Sequence, residues 1–258
     1  MMAEAELELI ETQTGAPSWN MALDEALLEE AVAGRQGPVL RFYRWEPSAV
    51  TLGYSQDAER EVDVAAAAAA GVGVVRRITG GGAVFHENEI TYSIILPVTA
   101  VPGTIEDSYR RICGAMVRGL NFFRRGFVFS PVNDIIFDGK KVSGSAQARR
   151  GGWLLQHGTV LLDTDFDRMF GILRVPEGKF RKHGLESARS RVTCMKRVLG
   201  RELGFEEARR ALCDGFDEDF GISGTERGVP ENAKKVADKL VFRYDSDDWN
   251  FKRKKSDF

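Results

Sequence analysis

Cysteine and histidine are scarce in this chain, with three of each among 258 residues. Cys113, Cys194 and Cys213 stand far apart, and His86, His157 and His183 are isolated from one another. With neither CxxC nor HExxH there is no zinc or disulfide framework, and an odd cysteine count argues for a reducing compartment. Also missing are the GxxxxGK-Ser/Thr phosphate loop, the GxGxxG dinucleotide fingerprint and the GxSxG nucleophile elbow. A formal net charge of −2 gives no global attraction to nucleic acid or to an anionic membrane, so any phosphate chemistry must rest on a local basic cluster. The longest weakly polar run, residues 64–75, is mostly alanine and well short of the roughly 20 residues of a membrane span. The N-terminal MMAEAELELIETQ is acidic and alternating, unlike a signal peptide. These absences imply a cytoplasmic protein with no nucleic-acid partner and no membrane anchor.

What is present has the composition of a folded globular protein, 43% apolar and 29% charged. Residues 4–11 alternate like a half-buried strand. Pro17 and Ser18 open a helix to about Val32, on which Asn20 and Asp24, one turn apart, read as surface or capping residues. Residues 39–45 and 49–54 read as strands joined at Pro47, 61–70 as one alanine-rich helix, and 89–96 as a strand. Residues 104–125 predict one long helix with Ile105, Tyr109, Ile112, Met116 and Leu120 facing the core and Cys113 as a small packing residue. Asp138-Gly139 marks a hairpin, and residues 153–163 a last long strand. Amphipathic helices follow at 165–173, 190–199, 205–216 and 230–244. Strands first and helices after give the α+β class. Without a repeat or a linker, residues 1–258 read as one domain, helical from about 165 to 250, with a frayed tail at 251–258.

Two glycine-rich, basic stretches carry the candidate chemistry. In VVRRITGGGAVFH, residues 74–86, three consecutive glycines cost backbone entropy on folding. They are expected where φ is positive or where a ligand lies against the main chain. Arg76 and Arg77 beside them point to an anionic ligand; a loose hairpin tip with solvated arginines accounts for the same residues without one. In KKVSGSAQ, residues 140–147, strand alternation sends Lys140 and Lys141 to opposite faces, so only one can enter a pocket.

RRITGGGAVFH, then NDIIFDGKKVSGSAQ, then LLQHGTVLLD, together with RFYRW, TLGY and YDSDDWN, resemble the lipoate–protein ligase A family of the biotin/lipoyl ligase superfamily. The resemblance implies a biotin/lipoyl ligase-like α+β catalytic domain with a large mixed β-sheet, a smaller sheet and surrounding helices. It implies activation of lipoate by ATP and Mg2+ to lipoyl-AMP, then transfer of the lipoyl group to a lysine of a carrier domain. Such carriers are of the 2-oxoacid dehydrogenase E2 or glycine cleavage H protein type, and no tightly bound prosthetic group takes part. By the same resemblance Lys141 is the catalytic lysine, with Lys140 its solvated neighbour. Arg76, Arg77, Thr79, Gly80, Gly81, Gly82 and Val84 cover the acyl-adenylate, and Asn133, Ser143, Gly144, Ser145 and Ala146 line it. Gln156, His157 and Gly158 close the wall, His86 packs beside the dithiolane tail or orients the loop, and Asp134 holds Mg2+. For both histidines a structural role reads equally well. The chemistry asks for cations, because a carboxylate must meet a phosphate; one charge pair at about 4 Å is worth roughly 4 kcal/mol at an effective dielectric near 20.

A related branch, the ATP-independent octanoyl and lipoyl transferases, passes the acyl group through a cysteine. Residues 86–93 lack the aspartate–leucine–glycine run of the ligases, and LLQHGTVLLD and YDSDDWN suit the transferases. The nucleophile of that branch falls just before the KVSGSAQ hairpin, where FVFSPVNDIIF has no cysteine. The expectation is therefore an ATP-dependent lipoate–protein ligase, whose short length implies a separately encoded accessory protein. A biotin ligase and a non-catalytic module that binds lipoyl carriers are the remaining alternatives.

Overall fold

In a computed structural model, which describes residues 6–174 and 188–252, the chain opens with β1 (Leu7–Gly15) and α1 (Pro17–Val32). Strands β2 (Val39–Trp45) and β3 (Ala49–Leu52) follow, joined across Pro47. The alanine-rich segment is two short helices, α2 (Ala58–Glu61) and α3 (Val64–Ala69), rather than the single one expected. Asp57 and Asp63 each accept backbone N–H bonds at a helix start, and two caps five residues apart divide the run. Next come β4 (Gly73–Arg76), β5 (Val84–His86), β6 (Glu89–Pro97) and the long α4 (Ile105–Phe123). Thr104 and Asp107 close a reciprocal capping box at the start of α4. Ile112, Met116 and Leu120 are buried as the spacing requires, whereas Ile105, in the first turn, is 57% exposed.

Strands β7 (Phe127–Ser130), β8 (Asp134–Phe137), β9 (Lys140–Arg150) and β10 (Trp153–Leu161) complete the strand-rich part. The β8–β9 turn is the expected one, with Asp138 and Gly139 both at positive φ, 48° and 71°. After α5 (Phe166–Ile172), the helix expected at 190–199 is the shorter α6 (Met195–Leu199), and α7 (Phe205–Phe220) outruns its expected end. Strand β11 (Ile222–Arg227) and the terminal α9 (Asp247–Asn250) were not expected; α8 (Glu231–Tyr244) lies between them as predicted. Phe251 packs against the smaller core, so the frayed tail does not begin there; residues 253–258 and His183 lie outside the described residues.

The large sheet has the order β11-β1-β2-β6-β10-β9-β8-β7, and the small one β4-β3-β5. Parallel pairing of β1 with β2 and β11, and antiparallel pairing elsewhere in the large sheet, make it mixed. One face of the large sheet packs on α4 and α7, the other on α1, and the small sheet closes with α3 and α5 over a separate apolar cluster. Helix α1 is sandwiched between the large sheet and α8 and is buried on most sides. Asn20 and Asp24 are therefore interior, 0% and 1% exposed, and not surface residues as the sequence suggested. Among the described residues no helix is long and apolar enough to cross a membrane.

Candidate active site

The position of Lys141 depends on an irregularity in β9. Ser143 pairs with Ile135 and Lys141 with Ile136, so one extra residue, Val142, sits in β9. Such a bulge re-aims a side chain. Strict alternation would turn Lys141 to the same face as Ser143 and Ser145, towards the α4 core; instead fully buried Val142 enters that core, and Lys141 lies across Gly144. Residues 191–193 run alongside and take up the backbone of Lys141 on both sides, Lys141 N–H donating to Arg191 O and Thr193 N–H to Lys141 O. A Cβ on Gly144 would stand 2.5 Å from Lys141 Nζ. Gly144→Ala should therefore push the ammonium aside and leave the fold intact. A displacement of about 1 Å costs up to about 10² in rate; kcat of the purified variant, with its melting temperature as control, checks this.

Lys141 Nζ lies 2.7 Å from Asp134 Oδ1, an ion contact rather than an aligned hydrogen bond. Asp134, expected as a Mg2+ ligand, thus faces an ammonium. Among the described residues no three His, Cys, Asp or Glu side chains gather as a metal site. One carboxylate already facing a cation is not the donor set of a resident Mg2+.

Lys141 stands at the mouth of a cavity of about 580 Å3, counting its open end. Of the residues expected at the site, the cavity brings together Arg77, Gly81, Gly82, Val84, His86, Asn133, Lys141, Gly144, Ser145, Ala146, His157 and Gly158. The triglycine loop lies directly on the segment after β3: a Cβ on Gly53 would be 2.1 Å from Gly81 O, so TLGY needs its glycine for this close approach. Gly81 itself takes φ +95°.

The two arginines are not free to grip an anion. Arg77 is 4% exposed and commits its whole guanidinium to protein acceptors. Its Nε donates to Thr79 Oγ1, Nη1 to Thr51 O and Oγ1, and Nη2 to Gly80 O and Gly82 O. Burial lowers its pKa to about 10. Arg77 is thus the internal brace of the glycine loop, in place of the expected contact with an anionic ligand. Arg76 lies outside the cavity. It donates to the carbonyls of Gly53, Tyr54, Gln56, Trp249 and Asn250, and so ties α9 to the loop after β3.

From Arg77 two relays run inward. Each histidine turns Nδ1 to a carboxylate, which only accepts, so in the neutral ring Nε2 is the acceptor and the threonine hydroxyl donates to it: Thr51 to His86 Nε2 at 2.9 Å and Thr79 to His157 Nε2 at 2.7 Å. Each Nδ1–H then donates to a buried carboxylate, His86 to Glu89 and His157 to Asp24, at 2.7 and 2.8 Å. Trp45 stacks on His86 with ring centroids 4.1 Å apart and donates to Thr91, which in turn donates to Glu89. Asp24 collects four donors, from Arg41, Tyr43, Ser93 and His157. Burial alone would raise its pKa, but Arg41 and the hydrogen bonds outweigh burial and hold it below the ordinary value.

Burial pushes the His157 pKa below its ordinary 6.5, with Asp24 opposing. The unfolded chain therefore takes up this proton at a higher pH than the folded one, and stability falls as pH drops below about 6.5. Denaturant midpoints between pH 7 and pH 5 should decline for the wild type and decline less for His157→Gln. Equal slopes in the two proteins would show that His157 is not the titrating group.

Thr79 is fully buried between Arg77 and His157, and Gly80 is exposed on the loop, holding Arg77 through its carbonyl. Gln156 faces away from the cavity, donating to Tyr92 Oη, because residues 156 and 157 alternate across β10. Ser143 is buried on the α4 side of β9, across from Val160, and does not line the cavity. None of the three cysteines lines the cavity. Cys113 is fully buried, its Sγ 3.8 Å from Ser145 Oγ, and burial pushes its thiol up to about 11; Cys213 is pushed up to about 12 in the same way. Sequence reasoning missed Asp24, Glu89, Tyr43, Trp45 and Met21, whose only signal was an apolar helix and strands read as scaffold.

A mixed-sheet α+β fold with a narrow cavity, an amine at its mouth and bare glycine backbone beside it defines an enzyme of the lipoate ligase and transferase class. The chain belongs to the lipoyl protein ligase A/B catalytic domain family, which it matches over residues 16–217. It is 34% identical to the octanoyltransferase LipM of Kyrpidia tusciae, over 95% of this chain and 98% of that one. With LipM of Symbiobacterium thermophilum it shares 34% identity over 97% of this chain and the whole of the other. Among solved structures, the bipartite lipoate protein ligase of Thermoplasma acidophilum, studied with its E2 lipoyl domain, superposes with a TM-score of 0.83. There the identity is 30%, over 95% of this chain and 96% of that one. The fold expectation holds. The expectation of an ATP-dependent ligase is corrected, since near full-length relatives at 31–34% identity are octanoyltransferases.

Proposed function

We propose that this chain transfers an octanoyl group, without ATP, from a thioester to the side-chain amine of a lysine on a lipoyl carrier domain. The observation that carries the reading is its end-to-end similarity to octanoyltransferases. The site agrees with it. An acyl group that arrives as a thioester is already activated and needs no phosphate clamp, and both arginines of the loop are committed to protein acceptors. The carrier-domain partner rests on the lipoyl domain of the Thermoplasma ligase.

In the transfer, the carrier amine attacks the thioester carbonyl in its neutral form. The C–N bond forms as the C–S bond breaks, and the amine's surplus proton leaves with the thiolate as free thiol. Lys141 faces the carbonyl oxygen as negative charge develops there, and Asp134 holds the ammonium in place. Gly81, Gly82 and Gly144 let the reacting group lie against main chain. Because no cysteine lines the cavity, the acyl group passes directly from donor to amine, without an enzyme thioester. Two parallel incubations with a lipoyl domain test the reading, one with an octanoyl thioester and one with free octanoate, Mg2+ and ATP. Acylation from the thioester supports it; acylation from the free acid and ATP alone refutes it.

A further inference from the structure

The cavity has an open end and a closed one. At the open end Gly81, Gly82 and Lys141 meet solvent, the lysine side chain being 43% exposed. The large apolar residues of the cavity's buried lining are Met21, Tyr43 and Trp45, 2%, 0% and 8% exposed. A donor arm and a carrier lysine can reach the acyl carbonyl only from the open side, so the hydrocarbon tail must run inward. Tyr43 and Trp45 are fixed by hydrogen bonds to Asp24 and Thr91. Met21, on α1, carries no such tie, and its unbranched thioether is the adaptable part of the floor.

We infer that Met21 is the residue that sets acyl-chain length, by meeting the ω-end of a medium-length linear chain whose carbonyl lies at Lys141. This inference rests on the acyltransferase reading and adds its specificity element. Shortening the side chain deepens the closed end by about two methylenes. Each buried methylene is worth about fourfold in affinity, so the preference for a ten-carbon over an eight-carbon chain should rise about 15-fold in Met21→Ala. Met21→Phe should shift the optimum to six carbons, and the milder Met21→Val should move the ratio in the same direction as alanine.

The experiment measures transfer from linear acyl thioesters of six to twelve carbons, alongside calorimetric binding of the corresponding free acids. Thermal melts confirm which variants are folded. A wild type that prefers eight carbons, with opposite shifts in the alanine and phenylalanine variants, supports the inference. A wild type that transfers octanoyl while every folded variant keeps the same chain-length ratio overturns it and leaves the transferase reading standing. If the wild type transfers no chain at all, the transferase reading fails, and the free-acid affinities still decide whether Met21 sets the length.

Discussion

Lys141→Ala is expected to lower acyl transfer by about 10²–10³ with little change in stability, since removing one preorganised transition-state donor typically costs that much. The fold should tolerate the change. The side chain is 43% exposed and its contact with Asp134 is partly solvated, and such ion pairs contribute about 0–1 kcal/mol. Lys141→Arg should not restore the rate. A planar fork places its charge elsewhere than the compact ammonium that lies across Gly144. The decisive comparison is kcat for the three proteins at saturating donor, with matched melting temperatures. A Lys141→Ala protein that turns over like the wild type removes the central residue from the mechanism.

The second large effect falls on stability. Asp24→Asn is expected to cost about 3–5 kcal/mol, the range for breaking a buried ion pair by removing one partner. Arg41 would lose its counter-charge while remaining 1% exposed. The amide nitrogen would also replace an oxygen that accepts two bonds, and so face two of the four donors. Equilibrium urea unfolding measures the loss directly; a change below about 1 kcal/mol would mean that the four donors find other acceptors. Transfer activity should fall as well, because His157 loses the acceptor that fixes its ring.

What the sequence revealed and what it hid follow from the range of the interactions. The β8–β9 hairpin was legible because Asp138-Gly139 carries its own turn chemistry. The start of α4 was legible for a similar reason, since Thr104 and Asp107 cap it locally. Asp24 was misread because its burial is decided by the sheet and α8, which close on α1 from remote parts of the chain. Arg76 and Arg77 were legible as a basic pair but not as braces. Most of their acceptors are main-chain carbonyls of residues 51–56, 80–82 and 249–250, which no residue type announces. Lys141 was identified through the family motif, while the bulge at Val142 that turns it into the cavity has no mark in the alternation. The choice between ligase and transferase was partly legible. Residues 86–93, LLQHGTVLLD and YDSDDWN suited the transferases, and the lack of a cysteine in FVFSPVNDIIF outweighed them; the near full-length octanoyltransferase relatives reverse that weighing.

The most direct measurement is a single turnover in the absence of nucleotide, with octanoyl thioester, carrier domain and stoichiometric enzyme, quenched and read by intact mass. Direct transfer predicts the octanoyl increment on the carrier lysine and none on the enzyme at any time point. An acyl group trapped on Cys113, Cys194 or Cys213, or no carrier acylation until ATP is added, would contradict it.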